Sequence, residues 1–242
     1  LLLWLPWYFV FIFLALYGVA MLATVQIFLA ESLPTKQSLH PLAIARNYGE
    51  LIRDPMYLAA TFASGMIYAG LLTYLASSSF VYMEMLGVPV QFFGFIFLTS
   101  VIGYMLGSAL SARLTRHSEP EQVVLYGACL AAAACTTMLT TGSLFPHSVI
   151  ALLLPMVFYS AGMGLVLPNA MAVALRPFPH IAGTASALLG FIQMGLSSTA
   201  TALIGLFLLD TPAPMLYFMF VITLVALLLA LLVYRQRPGT NP

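Results

Sequence analysis

Residues 92–141, FFGFIFLTSVIGYMLGSALSA-RLTRHSEPEQ-VVLYGACLAAAACTTMLTT, contain two long apolar segments separated by a short polar gap. The segments 92–112 and 123–141 hold no ionised side chain, whereas the gap between them holds Arg113 and Arg116. An α-helix rises about 1.5 Å per residue, so about 20 residues cross the ~30 Å hydrocarbon core of a bilayer. This stretch therefore predicts two membrane-spanning helices joined by a short loop.

The same pattern occurs in the rest of the chain. Five further uncharged apolar segments occupy residues 7–29, 56–83, 149–175, 181–209 and 215–234. The composition agrees, because 62% of the residues are hydrophobic and 6% are charged, against about 25% charged in soluble domains. Strands of a membrane barrel would alternate apolar and polar residues, and runs such as 226–232 do not. We predict an all-α, polytopic membrane helix bundle with seven transmembrane helices.

The positively charged residues predict the orientation. All eight Lys and Arg residues lie in alternate gaps or after the last segment: Lys36, Arg46, Arg53, Arg113, Arg116, Arg176, Arg235 and Arg237. Short loops rich in Lys and Arg stay on the cytoplasmic side of the membrane. We therefore expect the N-terminus of the chain outside and its C-terminus in the cytoplasm.

The gap at 30–55 is the longest one and divides the chain. Glu31-Ser32-Leu33-Pro34 ends the first helix, since proline cannot continue it. Apolar residues then recur near helical spacing (Leu39, Leu42, Ala43, Leu51 and Ile52). They predict a short amphipathic helix on the inner membrane surface.

Three parts follow from this division. Residues 1–30 form a transmembrane helix that we expect to belong to a preceding N-terminal half, because the chain opens at Leu1 inside an apolar run. Residues 31–55 form a cytoplasmic linker, and residues 56–242 a six-helix transporter domain. The set formed by helices two to four starts on the inside, and the set formed by helices five to seven starts on the outside. This is the arrangement of inverted-topology repeats in secondary transporters.

Ionised groups inside a membrane mark proton or ion pathways. Every Asp and Glu of this chain lies in a predicted loop or at a helix end. The chain is therefore expected either to move an uncharged solute passively or to depend on a coupling carboxylate elsewhere in the polypeptide.

Uncharged polar side chains are the remaining candidates for a solute site. Gln193 and Asn169 lie inside predicted helices, where an amide needs a partner; helix–helix hydrogen bonding and lining of a solute path are both open. Thr61, Ser64 and Tyr68 share one face of the second helix, at i, i+3 and i+7. This face suits an amphipathic solute, although Ser and Thr also bond their own helix backbone.

The third helix carries small residues at every fourth position: Thr99, Gly103, Gly107 and Ser111. Such a stripe allows another helix to approach closely. It predicts a packing surface and no chemistry.

Several function classes lack their motifs in this sequence. There is no HExxH, no GKS/T phosphate loop and no Ser or Cys with a nearby intramembrane His, so we expect no enzyme activity, catalytic residue, metal or cofactor. The one lysine, Lys36, lies in a loop and cannot carry a retinal in a helix. The net charge of +1 gives no reason to expect nucleic acid as a partner.

Six stretches resemble a known family. Residues 168–172 (PNAMA), 177–180 (PFPH) and 182–190 (AGTASALLG) are similar to the region of helices ten and eleven in the bicyclomycin-resistance drug-efflux group of the major facilitator superfamily. Residues 80–94 resemble that group's junction of helices seven and eight, and residues 31–34 its helix-six end. Residues 110–117 (LSARLTRH) resemble the superfamily's loop signature LSDRxGRR, matching at Leu110, Ser111, Arg113 and Arg116 and departing at Ala112, Thr115 and His117.

The resemblance covers nearly the whole chain, as helix six plus the C-terminal six-helix half of a twelve-helix transporter. It implies a proton-coupled exporter of small amphipathic compounds in the bacterial inner membrane, working by alternating access. The proton-coupling acids of such transporters usually lie in the N-terminal half. A major facilitator importer of an uncharged solute and a non-transporting membrane subunit are the alternatives.

Overall fold

The computed structural model describes residues 8–28, 41–207 and 211–236, and all regular structure in these ranges is helical. The helices are α1 (Tyr8–Phe28), α2 (Pro41–Arg53), α3 (Pro55–Ser79), α4 (Val90–Leu114), α5 (Pro120–Leu144), α6 (Val149–Leu175), α7 (Ala182–Phe207) and α8 (Ala213–Arg235). A π-helical turn (Phe80–Met85) continues α3, and a 3₁₀ turn (Pro179–Ile181) precedes α7. The residues outside these ranges include the predicted helix end at 31–34, Lys36, Leu39, His40, Asp210 and Arg237.

Seven of the described helices are long and apolar enough to cross a bilayer, as predicted. They are α1 and α3 to α8. Helices α4 and α5 extend two or three residues beyond their predicted segments at both ends, and α6 coincides with its predicted segment. The chain divides into two compact units, residues 1–38 and residues 39–242. In the first, α1 buries none of its side chains and is apolar all round, which is typical of a membrane span.

In the second unit, α3 and α6 are the central helices. Helix α3 packs against α7 and α8, α6 packs against α4 and α5, and α3 also contacts α6 as α5 contacts α8. Exchanging α3 with α6, α4 with α7 and α5 with α8 leaves this set of contacts unchanged. A two-fold relation between α3–α5 and α6–α8, as in inverted repeats, requires these pairings.

Helix α2 lies where an amphipathic helix was predicted. Its Leu51 is fully buried in the second unit, whereas Leu42 and Ile52 are exposed. Asp54 then starts α3, because its carboxylate accepts a hydrogen bond of 2.6 Å from the backbone N–H of Tyr57 and Pro55 fits the first helical position. Leu51 is therefore the residue of α2 that is fully buried in the second unit.

The predicted stripe of small residues on α4 forms a close crossing with α6. A Cβ added at Gly103 or Gly107 would collide with the backbone carbonyl of Val157 or Ala161, respectively. Two helix backbones approach this closely only where side chains are absent. The packing prediction for this stripe is confirmed.

Buried tyrosines connect the central helices. Tyr57 of α3 donates a hydrogen bond of 2.7 Å to the carbonyl of Ala185 in α7. Tyr159 of α6 donates one of 2.7 Å to the carbonyl of Ile67 in α3, beside Gly70, where a Cβ would collide with its hydroxyl. The Tyr57 bond thus holds α3 against α7, and the Tyr159 bond holds α6 against α3.

Candidate functional site

A cavity of about 280 Å³ lies between α3, α4 and α6. Its lining is almost entirely apolar and consists of Tyr68, Leu71 and Leu75 of α3, Phe97, Ser100, Val101 and Tyr104 of α4, and Ser160, Met163 and Leu167 of α6. Phe97 and Val101 are exposed, so the cavity opens beside α4. Its volume is close to the lower bound of about 300 Å³ for small-molecule sites.

Two serine hydroxyls in this lining have no hydrogen-bond partner among the residues that the structure describes. Ser100 is 6% exposed and Ser160 is 0% exposed, and neither Oγ atom is bonded. The adjacent Thr99 behaves differently, since its hydroxyl donates to the carbonyl of Ile96 at 2.7 Å. A buried unpaired hydroxyl costs about 1–3 kcal/mol, so these two favour a guest that can bond them.

The two serines lie near the same helix crossing. The Cβ of Ser160 is 3.2 Å from the position that a Cβ of Gly103 would occupy. Ser100 precedes Gly103 by three residues, which is about 4.5 Å along the helix axis. Both serines therefore lie within about one helical turn of this crossing.

The described residues that line this cavity carry no charge. Within the described ranges, no three His, Cys, Asp or Glu side chains gather as metal ligands either. The cavity therefore offers apolar surface, two tyrosine rings and hydroxyl groups. These are the features of a site for an uncharged amphipathic molecule.

The predicted polar face of α3 leads into the cavity. Tyr68 lines it, whereas Thr61 and Ser64 are buried outside the lining. The hydroxyl of Ser64 donates to the backbone carbonyl of Thr61 at 2.9 Å. Of these three candidates, the structure brings Tyr68 alone to the cavity.

Asn169 and the loop signature meet in the structure. The amide nitrogen of Asn169 donates to the hydroxyl of Ser111 at 2.6 Å and to the carbonyl of Leu165 at 2.7 Å. Asn169 is 4% exposed and both bonds are internal, so its NH₂ group is occupied by protein partners. The bond to Ser111 links α6 to α4.

The other signature residues and Gln193 lie away from the cavity. The signature residues Leu110, Arg113 and Arg116 are exposed at the end of α4 and beyond it. Gln193 is half-buried, and its Cα is 3.6 Å from the position of a Cβ on Gly65, at the α3–α7 contact. The exposed signature residues and Gln193 thus lie at different places from Tyr68.

An ion pair that the sequence did not predict joins α5 to the end of α6. The carboxylate of Glu121 accepts two hydrogen bonds from Arg176, of 2.8 and 3.3 Å. The Glu121 side chain is 1% exposed and that of Arg176 is 45% exposed. From the sequence, Glu121 follows Pro120 in a first helical turn, where an acid normally faces water and the helix dipole.

Sequence reasoning also missed Ser100, Tyr104 and Ser160. Ser100 and Tyr104 are four residues apart and therefore share a face of α4, a spacing that could have been recognised. Ser160 lies alone in the apolar run of α6. Only its position opposite Gly103 gives it a role.

Comparison with known proteins identifies the family. The family model of the Major Facilitator Superfamily matches residues 1–201. An uncharacterised MFS-type transporter, YdgK, of Bacillus subtilis is 27% identical over 238 residues, covering 97% of this chain and 58% of that protein. A bicyclomycin resistance protein homolog of Haemophilus influenzae is 27% identical over 216 residues, covering 88% of this chain and 54% of that protein.

The chain thus spans about half the length of the curated relatives it matches. The family match extends over most of the chain, including α1 and α2. It confirms the family inferred from the sequence motifs. The chain belongs to the Major Facilitator Superfamily.

Proposed function

We propose that this chain is the C-terminal part of a proton-coupled exporter of small amphipathic compounds, working by alternating access in the bacterial inner membrane. The observation that carries the proposal is the cavity between α3, α4 and α6, which is apolar, uncharged and supplied with two unpaired hydroxyls. The relative named as a bicyclomycin resistance protein homolog supports export of a drug-like solute.

The location of the proton is the second part of the proposal. Among the described spans, acidic residues occur only at helix ends, as Glu84 in the π-helical turn after α3 and Glu121 in the first turn of α5. Glu121 is already paired with Arg176. We place the coupling carboxylate in a part of the transporter outside these 242 residues, and the basic loops on the cytoplasmic side.

Tyr68 is the proposed solute contact best supported by its position, since it lines the cavity. Thr61, Ser64, Asn169 and Gln193 remain proposed contributors to the path. A transporter moves its solute past several sites as two halves rock about the centre. Side chains away from the resting cavity can therefore contact solute in another state.

The direct test is drug susceptibility of cells that produce the natural polypeptide. We expect protection against amphipathic compounds, lost when a protonophore collapses the proton gradient. Tyr68→Ala should weaken protection at a normal membrane level, whereas Tyr126→Ala, an exposed tyrosine of α5 outside the cavity lining, should not. Increased accumulation of solute in producing cells would instead indicate an importer.

A further inference from the structure

We propose that the cavity between α3, α4 and α6 binds the uncharged form of an aromatic amphipathic compound, through hydrogen bonds from one polar group of that compound to Ser100 and Ser160. This inference rests on the proposed function and deepens it by naming the solute class and its anchoring residues.

Buried hydroxyls in this bundle differ in their hydrogen bonding. Hydroxyls in its helices commonly donate to a carbonyl of their own helix, as Ser64, Thr73, Ser78 and Thr223 do. Ser100 and Ser160 do not, although both are buried. Both oxygens have almost no exposed surface, so each serine must turn about its Cα–Cβ bond before its hydroxyl can donate to or accept from a guest in the cavity.

The surface around these serines is mainly aromatic and apolar. Tyr68, Phe97 and Tyr104 supply aromatic rings, and Met163 supplies a flexible side chain that adapts to different shapes. Rings that line a small cavity favour a flat aromatic guest. Because a serine hydroxyl both donates and accepts, the polar group of the guest can be an alcohol, phenol or amide.

The charge of the lining residues determines which form of a compound the cavity accepts. No Asp or Glu lines the cavity to neutralise a cation, and no Lys or Arg lines it to neutralise an anion. Attraction of a cation to tyrosine rings contributes about 0.5–2 kcal/mol, less than the cost of removing an ion from water. The cavity therefore selects the neutral form of a compound over its charged analogue.

A matched pair of probes tests this selection. 1-Naphthalenemethanol is neutral, and 1-naphthylmethylammonium has the same skeleton with a positive charge. Binding of the tritiated alcohol to the natural polypeptide in lipid nanodiscs would be measured by scintillation proximity, with the cation as competitor. We expect the cation to compete at least tenfold less well than the unlabelled alcohol; equal or better competition would overturn the selection of neutral compounds.

Two variants test the anchoring residues. Ser100→Ala and Ser160→Ala should each weaken binding of the alcohol about fivefold, the loss of one hydrogen bond of about 1 kcal/mol. Ser77→Ala is the matched control, because Ser77 is also buried with an unpaired hydroxyl but lies outside the cavity lining. It should bind the alcohol as the wild type does.

Thermal stability separates binding from a structural role. Removing an unpaired hydroxyl should leave the Tm of the empty protein unchanged or higher. A lowered Tm, or unchanged binding in both serine variants, would overturn the proposal. If cells stay protected while both serine variants bind the alcohol as the wild type does, this site is contradicted and the proposed function is not. If the alcohol binds but no compound is exported, the proposed function is contradicted and this site is not.

Discussion

Single side chains in this bundle are informative through the partners that they have or lack. Asn169 is inside the bundle with its donors bonded to Ser111 and Leu165, whereas Ser100 and Ser160 are equally buried without a partner. Paired polar groups stabilise helix contacts, and unpaired ones are available to a guest. This difference separates packing residues from proposed binding residues more sharply than residue type does.

Gln193 provides a test among the predicted site residues. It is half-buried at the α3–α7 contact, and we expect Gln193→Leu in the natural polypeptide to change the range of compounds exported. The loss of one hydrogen bond corresponds to about a fivefold change in protection. Resistance profiles and membrane levels would be measured together. Collapse of the membrane level would show that the amide serves packing instead.

The ion pair of Glu121 with Arg176 should be asymmetric in its effect on stability. Arg176→Ala leaves a buried carboxylate without its partner, and we expect a loss of about 2 kcal/mol, below the 3–5 kcal/mol of fully buried pairs because Arg176 is half exposed. Glu121→Gln removes the buried charge and should cost less. Thermal unfolding of both variants in detergent gives the order, and a larger loss for Glu121→Gln would contradict it.

Glycines set the distance between helices α4 and α6, because they have no side chain at the contact. Gly103 and Gly107 bring α4 against the backbone of α6, and the cavity lies beside this crossing. A proline in α6 removes a backbone hydrogen bond that a neighbouring helix replaces. Pro155 has no N–H to bond the carbonyl of Ala151, and Thr141 of α5 donates to that carbonyl at 2.7 Å. The α5–α6 contact thus compensates for the interruption of α6.

A pair of glycine substitutions tests the α4–α6 crossing. A Cβ at Gly107 would collide with the backbone carbonyl of Ala161, whereas one at Gly94, on the same helix, meets nothing within 4 Å. We expect Gly107→Ala to destabilise the protein by about 1–3 kcal/mol. Gly94→Ala should be neutral or slightly stabilising, since alanine favours helix. Equal Tm values for the two variants would contradict the close crossing.

The sequence predicted the spans well because apolar length alone determines them. All seven were found, and the small-residue stripe of α4 faces α6 as expected. The cavity could not be predicted in the same way, since Ser160 acquires its role only through the approach of Gly103 from another helix. The pairing of Glu121 with Arg176 is similarly long-range, across 55 residues.

The contacts among the six long helices of the second unit, α3 to α8, follow a two-fold pattern, and the Lys and Arg residues lie in alternate gaps between the apolar segments or after the last one. The positive-inside rule then predicts the orientation of the protein in the membrane. Cysteine placed at Val88 should react with an impermeant thiol reagent from outside intact cells, and cysteine at His117 should not. The native Cys129 and Cys135 lie within α5, away from both positions. Labelling in the reverse sense would contradict the orientation.

Coupling is proposed to reside outside these 242 residues, because the described spans hold acids only at helix ends. Alternating access also requires two domains about a central site. The 242-residue chain expressed alone should therefore insert but give no drug protection, and co-expression of the preceding helices should restore part of it. Gradient-dependent protection by the 242-residue chain alone would contradict this location of the proton site.

Transport into everted membrane vesicles that contain the natural polypeptide combines solute and proton in one measurement. With an imposed pH gradient, acid inside, we predict accumulation of tritiated 1-naphthalenemethanol that stops when the gradient is collapsed. Ser160→Ala should accumulate about fivefold less at low solute concentration, and Ser77→Ala should match the wild type. Accumulation that is independent of the gradient, or equal in all three proteins, would contradict proton-coupled export through this cavity.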